Sequence, residues 1–372
     1  MDSASSLGVL LYVCGGLAGA VFYLPLKSVR SWAWESYWMI YAITALVLAP
    51  IVLAAVVTPN FLSVLGAAPA SVLFWCFFFG IAWGVGGLTW GIMIRYLGVG
   101  LGLAIGCGLC AAVGTLVPPL REGQIHTLFT TNSGIFTILG VLVSLLGIVA
   151  IGIAGMSKEN ELSEEQKKSA VTEYNFSKGL CVAIISGVMS AGMFLGIRNG
   201  DQIIKLALEQ KLLDPTSPWK GFPVLVVVLL GGFIINFLYC FILNIKNRTV
   251  NDYANDRTPL KTNYLFSACA GILWYLQFFF LALGDDKIGD LRFIGASVLM
   301  SSTIVFSSII GIALKEWHGT SGKTKSFLAA GLAILIAAVF FFSYGNYLKE
   351  KEKQAQIPAT ASVCTSECLP SV

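Results

Sequence analysis

Ten stretches of mainly apolar residues, each about 20 residues long, are the feature that most constrains the fold of this chain. A helix of that length can cross a lipid bilayer, because it satisfies all its backbone polar groups internally. The predicted spans cover roughly residues 7–26, 37–57, 71–93, 98–119, 133–156, 178–197, 223–245, 264–284, 293–314 and 326–348. Charged residues make up only 12% of the chain, and the mean hydropathy is +0.79. The sequence therefore predicts an all-α integral membrane protein with ten transmembrane helices.

A charged segment at the midpoint, "SKENELSEEQKKSAVTEYNFS", divides the predicted helices into two groups of five. We expect a first five-helix unit over residues 1–156, a linker over 157–177 and a second unit over 178–348. The polar tail, residues 349–372, is predicted to be disordered. Because five is odd, a second copy of the same unit would cross the membrane in the opposite sense.

Three internal echoes favour such a duplication, one of which is that the fourth and ninth predicted spans are both rich in small residues. Both units begin with two small residues, an aromatic residue and a basic residue on one helical face: Gly16, Gly19, Tyr23 and Lys27 in the first, and Gly187, Ser190, Phe194 and Arg198 in the second. The third and eighth predicted spans share a glycine followed three residues later by tryptophan, at Gly87 and Trp90 and at Gly271 and Trp274. Two inverted five-helix repeats are an architecture of transporters, which bind their substrate between the repeats.

The fourth predicted span carries glycines one helical turn apart, at Gly98, Gly102 and Gly106. Small residues at this spacing let helix backbones approach closely in lipid. We therefore predict a smooth packing surface on this helix, along which a neighbouring helix slides as the two repeats rock.

The spans exclude several classes of protein. None has Asp or Glu at its centre, whereas an intramembrane protease or zinc enzyme needs paired carboxylates or histidines. Cys107 and Cys110 have no His or acidic residue nearby in the sequence, so we expect no metal site, no cofactor and no enzymatic activity. The basic residues are scattered through the loops, and no basic stripe indicates nucleic-acid binding.

An uncharged membrane interior predicts an uncharged substrate, because a charged ligand there needs a countercharge. Aromatic faces and amide groups suit a neutral sugar. The predicted binding residues are Tyr23, Trp90, Asn236, Trp274, Tyr275 and Gln277. Alternatives remain open: Trp90 and Trp274 could anchor helices at the interface, as we expect for Trp32, Trp34, Trp38 and Trp317, and Asn236 and Gln277 could hydrogen-bond between helices.

Glu35 is the predicted proton-coupling residue, because it begins the second span among three tryptophans and apolar surroundings favour a neutral carboxyl group. It could equally cap the start of that helix. Asp286 and Glu316, at span ends, are further candidates for a charge network. Lys27 and Arg198 could pair with these acids, bind sugar oxygens or extend to lipid headgroups.

Four segments resemble the L-rhamnose–proton symporter family of the drug/metabolite transporter superfamily. They are "FYLPLKSVRSWAWESYW" (22–38), "IRYLGVGLGLAIGCGLCAAVGTLVPPL" (94–120), "WYLQFFFLALG" (274–284) and "GIALKEW" (311–317). The resemblance runs in order from about residue 7 to residue 348. It implies ten helices from a fused five-helix pair and proton-coupled uptake of a 6-deoxyhexose across a bacterial inner membrane.

Other functions remain open beside this one. A transporter of the same fold could carry another neutral solute, such as glucose or a ureide, and a membrane sugar receptor would bind without transport. The tail lies outside the resemblance, and its Cys364 and Cys368 could pair on an oxidising side of the membrane.

Overall fold

A computed structural model describes residues 3–58, 60–121, 123, 125–163, 165, 171, 173–288 and 295–356. The predicted disorder after residue 356 and the pairing of Cys364 with Cys368 lie outside the described residues, as does the side chain of Phe194.

The described residues form helices joined by short connections and contain no strand. The helices are α1 (Ser3–Val21), α2 (Trp34–Ile43), α3 (Ala49–Val57), α4 (Phe61–Ala67), α5 (Ala70–Leu97), α6 (Val99–Arg121), α7 (Ile125–Thr130), α8 (Asn132–Glu161), α9 (Phe176–Glu209), α10 (Phe222–Asn247), α11 (Leu260–Ile288), α12 (Gly295–Ala313) and α13 (Gly322–Gln356). Short 3₁₀ turns follow α1 at Pro25–Ser28 and α10 at Val250–Ala254.

Eight helical segments of the described chain are long and apolar enough to cross a membrane. They are Ser6–Ser28, Trp34–Val57, Ala70–Leu97, Asn132–Lys158, Phe176–Glu209, Phe222–Asn247, Leu260–Lys287 and Gly322–Lys349. Shorter apolar stretches lie in α6, at Leu101–Cys110, and in α12, at Val298–Ala313. The prediction of an all-α, multi-pass membrane protein is therefore confirmed.

The second span is interrupted at its middle. A π-helical turn, Thr44–Leu48, joins α2 to α3, and Pro50 lies in the first turn of α3. Proline has no backbone N–H, and its ring clashes with the carbonyl of residue i−4, so the regular α-helical ladder cannot continue through it. The widened turn absorbs this clash and keeps α2 and α3 in one membrane-crossing segment.

Glycines set the closest helix crossings. A Cβ added at Gly84 of α5 would lie 2.7 Å from the Cα of Gly232 in α10, and one at Gly16 of α1 would lie 2.6 Å from the Leu299 carbonyl oxygen in α12. No larger residue fits at these crossings without moving a backbone. The helices α9 and α5, and likewise α8 and α13, also pack closely against each other.

Several helices run past their predicted ends, and α8 and α13 do so into the predicted linker and tail. The apolar pattern stops at residues 156 and 348, but α8 continues to Glu161 and α13 to Gln356. Polar contacts stabilise the extra turns: Glu352 accepts hydrogen bonds from the backbone N and Oγ of Ser133 at 3.2 and 2.5 Å. The start of the predicted linker and the start of the predicted tail are therefore helical.

Glu161, the last residue of α8, caps the N-terminus of α13. Its Oε2 accepts a hydrogen bond from the Ser321 backbone N at 2.6 Å, and its Oε1 accepts from the hydroxyls of Ser321 at 2.8 Å and Thr324 at 2.6 Å. These bonds, the backbone one first, lower the pKa of Glu161 from its ordinary 4.5 to about 2.

The Glu161 cap predicts a specific dependence of stability on pH. Because the folded protein lowers the pKa of this carboxyl, its stabilising contribution is complete above the ordinary pKa of 4.5 and is lost as pH falls through about 2. We expect the melting temperature of the wild-type protein to fall more steeply across that window than that of Glu161→Gln. Glu209→Gln, at an exposed helix end, serves as the control. Equal slopes for wild type and Glu161→Gln would contradict the assignment.

Candidate functional site

A cavity of about 1510 Å³ lies between the helices and opens at the face that holds the start of α1 and the end of α13, here called the termini face. The charged residues of its described wall lie towards that face, Arg198 and Asp201 within the second half of α9 and the others near helix ends or in a loop: Lys220, Asp285, Asp286, Lys349 and Glu352. Deeper in the membrane the wall is aromatic, amide, hydroxyl and glycine: Gly19, Trp38, Tyr41, Trp83, Trp90, Asn236, Trp274, Gln277 and Thr303. The cavity thus has a charged mouth and an uncharged interior.

Trp38 and Asn236 form a fixed part of the inner wall. The Trp38 Nε1 donates to Asn236 Oδ1 at 2.9 Å, and the Asn236 Nδ2 donates to the Gly232 carbonyl, also at 2.9 Å. Both side chains are almost fully buried, and the Trp38 ring stacks on Trp34 with centroids 5.0 Å apart. The amide therefore makes a hydrogen bond between helices and also lines the cavity.

A second part of the wall is built from Trp83 and Trp274. Their ring centroids lie 5.6 Å apart with the planes tilted by 31°. One turn along α11, Gln277 donates its Nε2 to the Trp274 carbonyl at 2.8 Å, while its Oε1 lies 3.5 Å from the Cβ position of Gly19. This amide is directed at the glycine face of α1, where the missing side chain leaves space.

Each of three wall tryptophans lies against a glycine of a neighbouring helix. Added Cβ atoms would stand 2.6 Å from the Trp38 Cζ2 at Gly91, 2.5 Å from the Trp83 ring at Gly232 and 3.1 Å from the Trp90 ring at Gly106. The glycines thus make room for large rings as well as for close helix crossings. A ring held in such a space keeps one orientation towards the cavity.

Four of the six predicted binding residues line the cavity: Trp90, Asn236, Trp274 and Gln277. Tyr23 and Tyr275 lie outside its described lining. Tyr23 is buried behind Trp38, with ring centroids 6.4 Å apart. Tyr275 is 2% exposed and packs against Phe222 and Phe278, and its hydroxyl has no hydrogen-bond partner among the described residues.

The prediction that four tryptophans lie at the membrane interface is wrong. Trp32, Trp34, Trp38 and Trp317 are all less than a tenth exposed, and so they pack inside the protein instead of forming an aromatic belt. Trp38 and Trp83 also stand in the cavity wall, although neither is among the predicted binding residues. In the sequence, the spacing of Trp83, Gly87 and Trp90 along one face of α5 could have indicated that Trp83 lines a cavity. No comparable pattern marks Trp38, because the neighbouring Trp34 suggests a membrane interface instead.

Glu35 lies at the face opposite the termini, here called the closed face, and not in the cavity lining. It is 4% exposed, and its Oε1 accepts hydrogen bonds from Asn247 Nδ2 at 2.8 Å and Thr249 Oγ1 at 3.0 Å. Among the described hydrogen bonds, none joins its carboxylate to the start of its own helix, α2. Its partners belong to the other half of the chain.

The remaining predicted charges are divided between the two faces. Glu316 is 1% exposed at the closed face, where its Oε1 accepts from the backbone N of Val99 at 2.9 Å. Lys27 is exposed near the same face, beyond α1. Arg198 and Asp286 stand at the cavity mouth, and Asp286 pairs with Lys287 at 3.0 Å.

The predicted packing glycines all contact neighbouring elements. Gly98 adopts a φ of +86°, which favours glycine, and lies against Glu316 between α5 and α6. Gly102 leaves room beside Ile94, where an added Cβ would make ordinary van der Waals contacts at 3.5 Å. Gly106 lies against Met93 and Trp90. At Gly102 and Gly106 this surface of α6 therefore faces α5, whose Trp90 lines the cavity.

The fold and cavity define a multi-pass membrane protein with a deep cavity that has a charged mouth and an uncharged interior. The family model described as "L-rhamnose-proton symport protein (RhaT)" matches residues 1–346, and the chain belongs to this family. It is a family of transporters, which confirms the expectation that the chain is not an enzyme.

Relatives with that name match over nearly their whole length. The L-rhamnose-proton symporter of Yersinia pestis (strain Pestoides F) is 34% identical over 349 residues, covering 93% of this chain and 99% of the relative. The protein of the same name from Shigella dysenteriae serotype 1 (strain Sd197) is 32% identical, with the same coverage. No solved structure matches the chain.

Proposed function

We propose that this protein takes up L-rhamnose, or a closely related neutral deoxyhexose, together with protons across a bacterial inner membrane. The observation that carries the proposal is the cavity interior, which is uncharged and lined by tryptophan rings, amides and a hydroxyl. Relatives named as L-rhamnose-proton symporters, from Yersinia and Shigella, support the same substrate and the same coupling ion.

The wall chemistry suits a deoxyhexose. Indole faces pack against the C–H surface of a sugar ring and against a methyl group, whereas Asn236, Gln277 and Thr303 offer donors and acceptors to ring hydroxyls. In this proposal Trp90 and Trp274 contact the sugar with Trp38 and Trp83, and Tyr23 and Tyr275 support the wall from behind.

The transport cycle is alternating access between two inverted repeats of five helices each. The helix packing supports this symmetry: α1 packs on α11 and α12, just as α9 packs on α5 and α6. The pairs α2 with α10, α6 with α12 and α8 with α13 join helices that hold the same position in each repeat. The structure corresponds to the state in which the sugar site is reached from the termini face.

Glu35 is the proposed proton-coupling residue. Its carboxylate accepts two hydrogen bonds from the second half of the chain at the closed face. Protonation weakens a carboxylate as an acceptor, so a proton on Glu35 would loosen the contact between the halves and favour opening of that face. Of the other charges in the proposed network, Lys27 and Glu316 lie at the same face as Glu35, and Arg198 and Asp286 lie at the cavity mouth on the termini face.

A solute panel tests the proposed function. The purified protein is reconstituted in vesicles with an imposed inward proton gradient, and uptake of labelled L-rhamnose, glucose and a ureide is measured in parallel. We expect L-rhamnose to accumulate and an uncoupler to abolish the accumulation. Accumulation of glucose or the ureide alone would assign another substrate, and binding of L-rhamnose without accumulation would indicate a receptor.

The proposed sliding surface on α6 predicts a size limit at Gly102. Gly102→Ala should transport normally, because the added methyl group meets its neighbours at ordinary contact distance. Gly102→Leu should lose most of its transport rate while remaining in the membrane, since the longer side chain must displace Ile94 or Met93. Uptake and membrane abundance are measured for both variants, and normal uptake by Gly102→Leu would argue against sliding at this surface.

A further inference from the structure

We propose that Asp252 and Glu316 are gate residues that release helix N-termini of the first half when the closed face opens, while Glu161 and Glu352 hold α8 and α13 together throughout transport. The proposal rests on the alternating access proposed above. It divides these four carboxylates, each of which bridges the two halves, into two whose contacts must break and two whose contacts must persist.

The first gate contact lies at the start of α2. The Asp252 Oδ2 accepts hydrogen bonds from the Ala33 backbone N at 2.8 Å and from the Ser36 Oγ at 2.7 Å. Asp252 belongs to the 3₁₀ turn that follows α10, and so an acid from the second half satisfies the exposed donors at the start of a first-half helix. Beside it, Asn263 binds both the N and the O of Arg30 at 3.1 and 2.8 Å.

The second gate contact lies at the start of α6. Glu316, just beyond α12, accepts from the Val99 backbone N at 2.9 Å. Gly98 allows this approach, because a Cβ at that position would lie 2.8 Å from Glu316 Oε2. A second-half acid again caps a first-half helix at the closed face.

At the termini face, the same two parts of the chain are joined more weakly than at the first gate contact. There α3 and the segment before α10 are joined, among the described hydrogen bonds, by one long contact of 3.5 Å between Thr58 Oγ1 and the Trp219 carbonyl. The cavity borders the segment before α10, and it reaches Phe222 at the start of α10 and Leu46 in the π-helical turn before α3. Contacts that are strong at one face and weak at the other are those expected of a gate.

The pair α8 and α13 has carboxylate caps at both faces. At the closed face, Glu161 of α8 binds Ser321 and Thr324 at the start of α13. At the termini face the relation is reversed, since Glu352 of α13 binds Ser133 at the start of α8.

Glycines keep α8 and α13 close between the two caps. Added Cβ atoms would lie 2.9 Å from the Ile151 N at Gly331 and 3.1 Å from the Ser133 carbonyl at Gly345. Because α8 and α13 are hydrogen-bonded at both faces and closely packed in between, they do not separate at either face. The pair therefore serves as the fixed element about which the gates move.

Two double substitutions with matched chemistry at the closed face test the assignment. Ser36→Cys with Asp252→Cys spans a gate and is called the gate pair, and Thr324→Cys with Glu161→Cys spans α8 and α13 and is called the fixed pair. Both are made in a chain whose nine native cysteines are replaced by serine. A short, reducible thiol cross-linker joins each pair, and exchange of labelled L-rhamnose across vesicle membranes is measured before cross-linking, after it and after reduction.

We expect cross-linking of the gate pair to reduce exchange by at least about tenfold and reduction to restore it, because exchange requires both faces to open in turn. Cross-linking of the fixed pair should change exchange by less than about twofold, because that pair does not separate. Continued exchange by the cross-linked gate pair, or loss of exchange in the cross-linked fixed pair, would overturn the proposal.

Hydrogen–deuterium exchange gives a readout that needs no sugar. The gate pair is compared before and after cross-linking, and the reporter is the Val99 amide at the second gate contact. We expect the cross-link to slow deuterium uptake at Val99 and to leave the Ser133 amide, which Glu352 binds, unchanged. Unchanged uptake at Val99 would overturn the gate, whether or not the variant transports sugar. Failure of the wild-type protein to exchange L-rhamnose would instead refute the proposed function.

Discussion

Alanine at Trp274 should raise the half-saturating concentration of L-rhamnose by about tenfold to a hundredfold, the usual cost of truncating a tryptophan at the centre of a binding surface. Trp274 lines the cavity and holds its ring 5.6 Å from that of Trp83. Removing the indole takes away one sugar-contacting face and leaves its partner ring without lateral support. Initial rates of labelled L-rhamnose uptake over a range of concentrations measure the effect.

Trp75→Ala is the matched control for this substitution. Trp75 lies on the same helix as Trp83 but is 45% exposed and stands outside the described cavity lining, among other exposed aromatic residues of α5. Its removal should leave the half-saturating concentration unchanged. Equal effects of Trp75→Ala and Trp274→Ala would show that loss of an aromatic side chain, and not loss of a binding surface, explains the result.

Glu35→Gln should abolish accumulation of L-rhamnose against its gradient while leaving exchange of internal for external sugar nearly intact. The neutral amide resembles the protonated carboxyl group: its oxygen still accepts from Asn247 and Thr249, but more weakly, so the closed face can open and exchange continues. The amide cannot bind and release a proton, and so accumulation is lost. Reconstituted vesicles measure both quantities: accumulation under an imposed proton gradient, and exchange without one.

Glu209→Gln provides the same chemical change at an exposed position and should accumulate L-rhamnose as the wild type does. If Glu35→Gln accumulates the sugar normally, proton coupling belongs to another residue. If it loses exchange as well as accumulation, Glu35 is needed for the gate itself, and the separation of coupling from gating fails.

The sequence predicts the membrane fold well because apolar length is a local property. Eight of the ten predicted spans coincide with helical segments long and apolar enough to cross a membrane, whereas the fourth and ninth fall on α6 and α12, whose apolar stretches are shorter. The sequence does not predict the π-helical turn within the second span, nor the end of α8 at Glu161, where hydrogen bonds to another helix extend α8 beyond its apolar residues. Asn236 and Gln277 can also be placed near a functional surface, because an amide within an apolar run needs a partner.

The sequence does not predict the side-chain contacts that depend on which helices pack against each other. The sequence spacing predicts that Tyr23 shares a helical face with the glycines of α1, but α1 ends at Val21, and Tyr23 instead packs against Trp38, whose ring lines the cavity. The ring of Trp38 is held in the cavity wall by the space that Gly91 of α5 leaves and by its hydrogen bond to Asn236 of α10. Both residues are far from Trp38 in the sequence. The hydrogen bonds of Asp252 likewise cannot be predicted from the sequence, because its partners Ala33 and Ser36 lie in the other half of the chain.

The central claim is that a neutral sugar and a proton cross the membrane together through this cavity. The most direct measurement records the external pH of a lightly buffered suspension of de-energised cells producing the protein while L-rhamnose is added. Symport predicts a transient alkalinisation that an uncoupler removes and that Trp274→Ala diminishes. Entry of labelled L-rhamnose with no change in external pH would contradict the claim.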